Sequence, residues 1–179
     1  MRTRVALLAG AVLLSSAALS FTQDYPHAFP REGVTPLFEN ERVLVWEVKW
    51  LSGMDQSYHR HRYDLTGVFL AWGPLRVTRL DGTFNESLEP FEVPRALYQG
   101  RGVTHKEVGI GPPERHSIMI DMKEYTAPAL TRRTDIDLGF PADGAGAVID
   151  NERVRVWDLT MQAGQTRPMH YHDKDFVVV

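Results

Sequence analysis

An all-β fold, a sandwich or small barrel of short strands, is what this sequence predicts, and three observations predict it. Apolar and polar residues alternate at period two in several short stretches, and no long stretch carries a helical period. Turn signals separate those stretches, in a chain holding 14 Gly and 11 Pro. A block near residue 40 also recurs near residue 151, so one structural unit is duplicated. Composition fits: 43% of the 179 residues are hydrophobic and 24% charged, which excludes a disordered or fibrous chain. A net charge of −3 argues against a nucleic-acid partner. The absence of cysteine excludes disulfides, thiolate catalysis and cysteine-ligated metals.

Residues 1–20 read as a signal peptide. Arg2 and Arg4 precede an apolar run from Val5 to Leu14, and Ala18 and Ser20 are spaced for cleavage. The run is short for a bilayer span. The expectation is therefore a periplasmic or secreted protein, free of the membrane after cleavage, with a mature charge of −5. Residues 21–36, with Pro26, Pro30 and Pro36, read as an extended N-terminal arm. A strand over 42–50 puts Leu44, Trp46, Val48 and Trp50 on one face, and Glu47 and Lys49 on the other. Further strands are expected over 66–71, 75–80, 91–93, 104–108 and 117–122. Turns fall at Trp72-Gly73-Pro74, at Leu80-Asp81-Gly82-Thr83 as a hairpin, and between Gly109 and Pro113. These elements make one unit over 37–130. Residues 131–147 read as a linker, and 148–179 as the first half of a second unit.

The duplication is ungapped. Asn40-Glu41-Arg42-Val43 and Trp46 match Asn151-Glu152-Arg153-Val154 and Trp157 at an offset of 111. The same offset carries Gly53, His59, His61 and Asp64 onto Gly164, His170, His172 and Asp175. In the second copy Trp157, Leu159 and Met161 occupy the apolar face. The counterpart of His105 would fall beyond Val179, so the chain reads as a fragment of a longer two-barrel protein.

Two residues apart on a strand, His59 and His61 share a face, about 6–7 Å from one another. Imidazoles so placed can converge on one divalent ion if a further ligand arrives from another strand. Gly53-x5-His59-x-His61 and Gly164-x5-His170-x-His172 resemble the first motif of the cupin superfamily. Gly100-Arg101-Gly102-Val103-Thr104-His105 resembles that family's second motif, with Gly in place of Pro. The resemblance implies a cupin-like β-barrel of jelly-roll type with part of a second repeat. It further implies a divalent metal (Fe, Mn, Ni or Zn) held by His59, His61 and His105. It leaves His170 and His172 as a second pair whose third partner is not in this chain.

The family's usual glutamate, four or five residues after the second His, is replaced here by Leu65 and Thr66. Asp64 would fill the place if a bulge re-aimed it, and Glu107 if it shared a face with His105. Around the pocket, Trp72, Tyr58 and Tyr98 either line a ligand mouth or pack, and His116 is either an inward acid/base or a rim residue. Arg76 and Arg79 lie on a strand of mixed facing, open to solvent or to an anionic ligand. Trp46, Trp50 and Trp157 are expected in the core, and Asp121 and Glu124 on the surface. The expected partner is a small molecule, with a homo-oligomer allowed. The resemblance covers dioxygenases, isomerases and decarboxylases, which the fold does not separate. Two other classes stay open: a barrel that captures a small ligand without metal, and a structural assembly module.

Overall fold

Thirteen strands and no helix form among the described residues, in a computed structural model that describes residues 23–126 and 134–179. The stretch read as a signal peptide lies outside them. No helix among the described residues is long and apolar enough to cross a membrane.

In chain order the first nine strands are β1 (Val34–Glu39), β2 (Val43–Trp50), β3 (His59–Arg60), β4 (Asp64–Ala71), β5 (Leu75–Arg79), β6 (Phe84–Ser87), β7 (Arg95–Gln99), β8 (Thr104–Gly109) and β9 (Arg115–Met122). They form two antiparallel sheets, a five-stranded one in the order β1-β2-β9-β4-β7 and a four-stranded one in the order β3-β8-β5-β6. The chain passes from one sheet to the other after β2, β3, β4, β6, β7 and β8, which winds a jelly roll. The apolar face of β2 makes the core, with Leu44, Trp46, Val48 and Trp50 against Leu65, Met119 and, from the other sheet, Leu75. Each buried aromatic of this size brings a large apolar area out of water, which is what holds the sheets face to face.

Several elements differ from the sequence expectation, among them β1, which forms across the end of the stretch read as an extended arm. Residues 91–93 are not a strand; Phe91 instead packs its ring against Phe69 (5.3 Å), and β7 begins only after Pro94, which has no N–H to give a ladder. β6 was not expected, because it is an edge strand whose residues are largely exposed and carry no apolar alternation. The hairpin turn that makes it is present: Gly82 takes φ +82°, and the Asp81 carboxylate accepts from the Thr83 N–H and hydroxyl (2.9 and 2.7 Å).

The duplication is visible in the backbone. After β10 (Asp137–Leu138) come β11 (Ala145–Asp150), β12 (Arg155–Leu159) and β13 (His170–Tyr171), at the offset of 111 from β1, β2 and β3. Asn40 Oδ1 accepts from the N–H groups of Arg42 and Val43 (2.8 and 2.9 Å), and Asn151 Oδ1 from those of Arg153 and Val154 (2.8 and 2.9 Å). Both β1–β2 and β11–β12 carry a register shift at matching residues. The equivalence extends upstream: His27 bridges Arg60 in parallel, as Leu138 pairs with Tyr171 in parallel, and Phe29-Pro30 matches Phe140-Pro141. The stretches read as an arm and as a linker thus hold equivalent places. Met161, expected on the apolar face, lies past the end of β12 and is exposed. The copies also exchange ion pairs. Arg42 meets Asp175, and Arg153, its counterpart, lies 2.7 Å from Asp64, the counterpart of Asp175. That reciprocity is the pattern of an isologous contact.

Candidate metal centre

His59 sits on β3, His61 follows one residue past its end, and His105 is on β8 with its Cα directly opposite His59. Residues opposed across an antiparallel pair project to the same side, so the register delivers the third imidazole to the first two. The turn before β8 fixes that register: Gly102, at φ +89°, donates its N–H to the His61 carbonyl (2.8 Å), and the His61 N–H is accepted by Val103 O (2.9 Å). All three side chains are buried, their residues 2%, 4% and 7% exposed. Ring centroids stand 5.2 Å (59–61), 4.8 Å (59–105) and 5.0 Å (61–105) apart. One nitrogen from each ring lies within 4.8 Å of the others, and this is the metal-competent cluster among the described residues.

The nitrogens suit a cation. His59 Nδ1 lies 3.1 Å from Ser57 O, the kind of contact that orients a ligating imidazole, while its Nε2 faces Arg31 Nη1 at 2.6 Å. His61 Nε2 and His105 Nε2 are 3.2 Å apart. Two nitrogens at about 2.1 Å from a common ion are about 3.0 Å apart at octahedral angles and about 3.4 Å at tetrahedral ones. Burial, followed by the Arg31 charge, lowers the His59 pKa from 6.5 to about 4. Burial, followed by His105, lowers His61 to about 3, and burial lowers His105 as well. Neutral imidazole is the ligating form.

Two residues complete the site's electrostatics. Glu107, two residues past His105 on the same strand face, places Oε1 3.5 Å from His105 Nε2, while Oε2 accepts from Trp50 Nε1 (2.9 Å). Arg31, from the segment before β1, donates from Nη2 to Glu107 Oε2 (2.9 Å). Its Nη1 lies 2.6 and 2.8 Å from Nε2 and Nδ1 of His59. Burial alone would raise the Glu107 pKa; Arg31 and the histidines outweigh it and bring it to about 2. Sequence reasoning missed Arg31, because nothing local announces it. The repeat of Phe29-Pro30 as Phe140-Pro141 was the one signal that this stretch belongs to the folded unit.

Other candidates fall elsewhere. Asp64 is not re-aimed to the triad: it accepts from the Arg101 N–H (3.0 Å) and the Tyr98 hydroxyl (3.4 Å) and pairs with Arg153. The Arg101 N–H, above all, holds its carboxyl below the usual range. Tyr98 thereby serves Asp64. His116 stands opposite Lys49 on the sheet's other face, its Nε2 2.7 Å from Glu47. Trp72 is half-buried and does not line the cleft that reaches His105. Asp121, expected on the surface, is 0% exposed and lies 2.9 Å from His27 Nε2. His170 and His172 repeat the edge-on geometry of the first pair (5.1 Å), and His170 Nδ1 lies 2.9 Å from Pro168 O as His59 does from Ser57 O. His172 is stacked on Phe176 (4.1 Å), and no third metal-ligating side chain joins the pair among the described residues.

No family model and no curated protein matches the chain. Solved structures do align with it. A cupin domain from Bordetella pertussis Tohama I is 24% identical over 57% of this chain and 99% of that one, with a TM-score of 0.44. A cupin superfamily protein from Desulfitobacterium hafniense DCB-2 is 16% identical over 68% and 100%, at 0.39. An RmlC-like cupin family protein with a double-stranded β-helix fold, from Methanocaldococcus jannaschii, is 11% identical over 57% and 92%, at 0.41. In this chain the strand order and the two facing sheets, closed around an inward histidine triad, make an all-β jelly roll.

Proposed function

We propose that this is an exported barrel protein that holds one divalent first-row metal at His59, His61 and His105 and acts there on a small organic molecule. The observation that carries the reading is the convergence of three buried imidazoles, one with its Nδ1 already taken by a carbonyl. Once bound, a metal of this class supplies Lewis-acid polarisation or oxygen activation. The protein's own groups do the rest. The histidines hold the ion, and Trp50 and Arg31 fix the Glu107 carboxylate beside His105. His170 and His172 form a weaker pair in the second copy. Export rests on the basic and apolar stretches of residues 1–20.

Metal analysis of protein loaded in turn with Fe²⁺, Mn²⁺, Ni²⁺ and Zn²⁺, beside the His59→Ala/His61→Ala variant, tests this. Wild type should retain about one ion per chain and the variant far less. Equally low metal in both refutes the reading. Arg31 Nη1 against His59 Nε2 favours the rival, a metal-free capture barrel. Small-ligand binding that survives in the double variant would support that rival.

A further inference from the structure

A cleft of about 550 Å³ opens at the rim of the four-stranded sheet and reaches His105. Its walls include Val77, Leu80 and Val103, with Arg60 and Arg79 at its edges. The register explains how Arg79 comes to be there. Across β5-β8-β3, Arg79, His105 and His59 stand in one row, each directly opposite the next. Residues in such a row project to the same side. Leu75 and Val77, four and two positions back along β5, pack into the core, so Arg79 continues the inward series where the barrel opens.

The charges on this face are unbalanced. Arg79 meets only the Thr83 hydroxyl (3.4 Å) and, with the Asn85 amide oriented to satisfy its neighbours, that amide's oxygen (2.8 Å). Arg60 meets the Thr104 hydroxyl (2.9 Å). Neither has a carboxylate partner within ion-pair distance among the described residues. Asp81, the acid lining the cleft, is engaged by the Thr83 N–H and hydroxyl and feels the Arg79 charge, yet the lining still sets two guanidiniums, Arg60 and Arg79, against this one carboxylate. Deeper in, the Glu107 charge is spent on Arg31, and the three imidazoles bring no negative charge. A cation held by them would have no protein counter-charge of its own.

We infer that this cleft takes a small carboxylate with an apolar body, and that Arg79 is the residue that selects its charge. The carboxylate meets a guanidinium, which holds it through charge-assisted hydrogen bonds. The apolar body lies on Val77, Leu80 and Val103. The inference goes beyond the metal-site reading for the neighbouring centre: the cleft and Arg79 stand without an ion.

Benzoate and benzamide, matched in shape and differing in charge, are the probes. Their binding is measured by calorimetry on metal-loaded and on chelator-treated protein, for wild type, Arg79→Gln and Arg76→Gln. Arg76 turns from the cleft and pairs with Glu86, so its loss removes the same charge from the outer face. Wild type should bind benzoate at least tenfold more tightly than benzamide. Arg79→Gln should lose about tenfold for benzoate and nothing for benzamide, while metal content and the Arg76→Gln affinities stay unchanged. Benzoate affinity equal in Arg79→Gln and wild type, or no preference for benzoate in wild type, overturns the inference. A wild type that takes up no metal, yet loses benzoate binding on Arg79→Gln after chelation, sinks the metal reading and supports this one.

Discussion

Lowering the pH of chelator-treated protein should destabilise it through the triad. A histidine held neutral in the fold, with its pKa below the unfolded 6.5, costs nothing above pH 6.5. Below that the unfolded chain binds a proton the folded one refuses, and stability falls by about 1.4 kcal/mol per pH unit for each such group. The loss levels off only near the folded pKa, about 4 for His59 and about 3 for His61. At pH 5 each has lost about 2 kcal/mol, about 4 kcal/mol together, and the lowered His105 adds to it in the same direction. Glu107 does not enter this window; its contribution is present above its ordinary pKa and is lost as pH falls toward about 2. Set against a typical total of about 5–15 kcal/mol, this is a large share. Urea melts followed by tryptophan fluorescence at pH 7.5, 6.0 and 5.0 measure it, with His61→Gln expected to recover about a third to a half of the pH-dependent loss. A change below about 1 kcal/mol across that range would show the imidazoles to be solvated or acid-paired, and the buried triad with them would fall.

Three further outcomes follow from packing and pairing. Gly67→Ala on β4 puts a Cβ 2.4 Å from Ile118 O, so it should cost about 2–3 kcal/mol, read as a lowered urea midpoint with unchanged m. His27→Ala strips the buried Asp121 of its ring partner, leaving the Trp46 Nε1 contact at 3.3 Å; about 3 kcal/mol should be lost, and unchanged stability would refute the pairing. Glu107→Gln leaves the Arg31 guanidinium facing a neutral amide and should cost about 3 kcal/mol or more, with Glu107→Gln/Arg31→Met recovering much of it in the same melts.

Much of the fold was legible because strands with one buried face advertise it. β2, β8 and β9 carry that alternation most clearly, and these three with β4 and β5 lie within two residues of their expected bounds. β6 and β7 escaped notice for a physical reason: at sheet edges, with one side wet, they need no apolar period. The histidines were legible because a His-x-His spacing repeated at one offset is rare by chance. Asp121 was misjudged as surface charge because a carboxylate can be buried when a partner 94 residues away supplies the bond, and no local pattern reports that distance. Arg31 was hidden for the same reason.

The two copies show which features belong to the scaffold and which to the site. Asn40 and Asn151, Gly53 and Gly164, the paired histidines and the carbonyls that anchor His59 and His170 recur position for position. Arg31 does not, since its counterpart is Ala142, and where His61 faces His105, His172 faces Phe176. A shared strand register therefore suffices to aim a histidine pair, but not to build its charge environment. The first copy adds an ionised acid and a guanidinium to the imidazoles; the second adds an aromatic ring, which stacks on the imidazole without supplying charge. The duplicated unit is a mount for two histidines, and the chemistry of each copy is set by what the remaining strands bring to it.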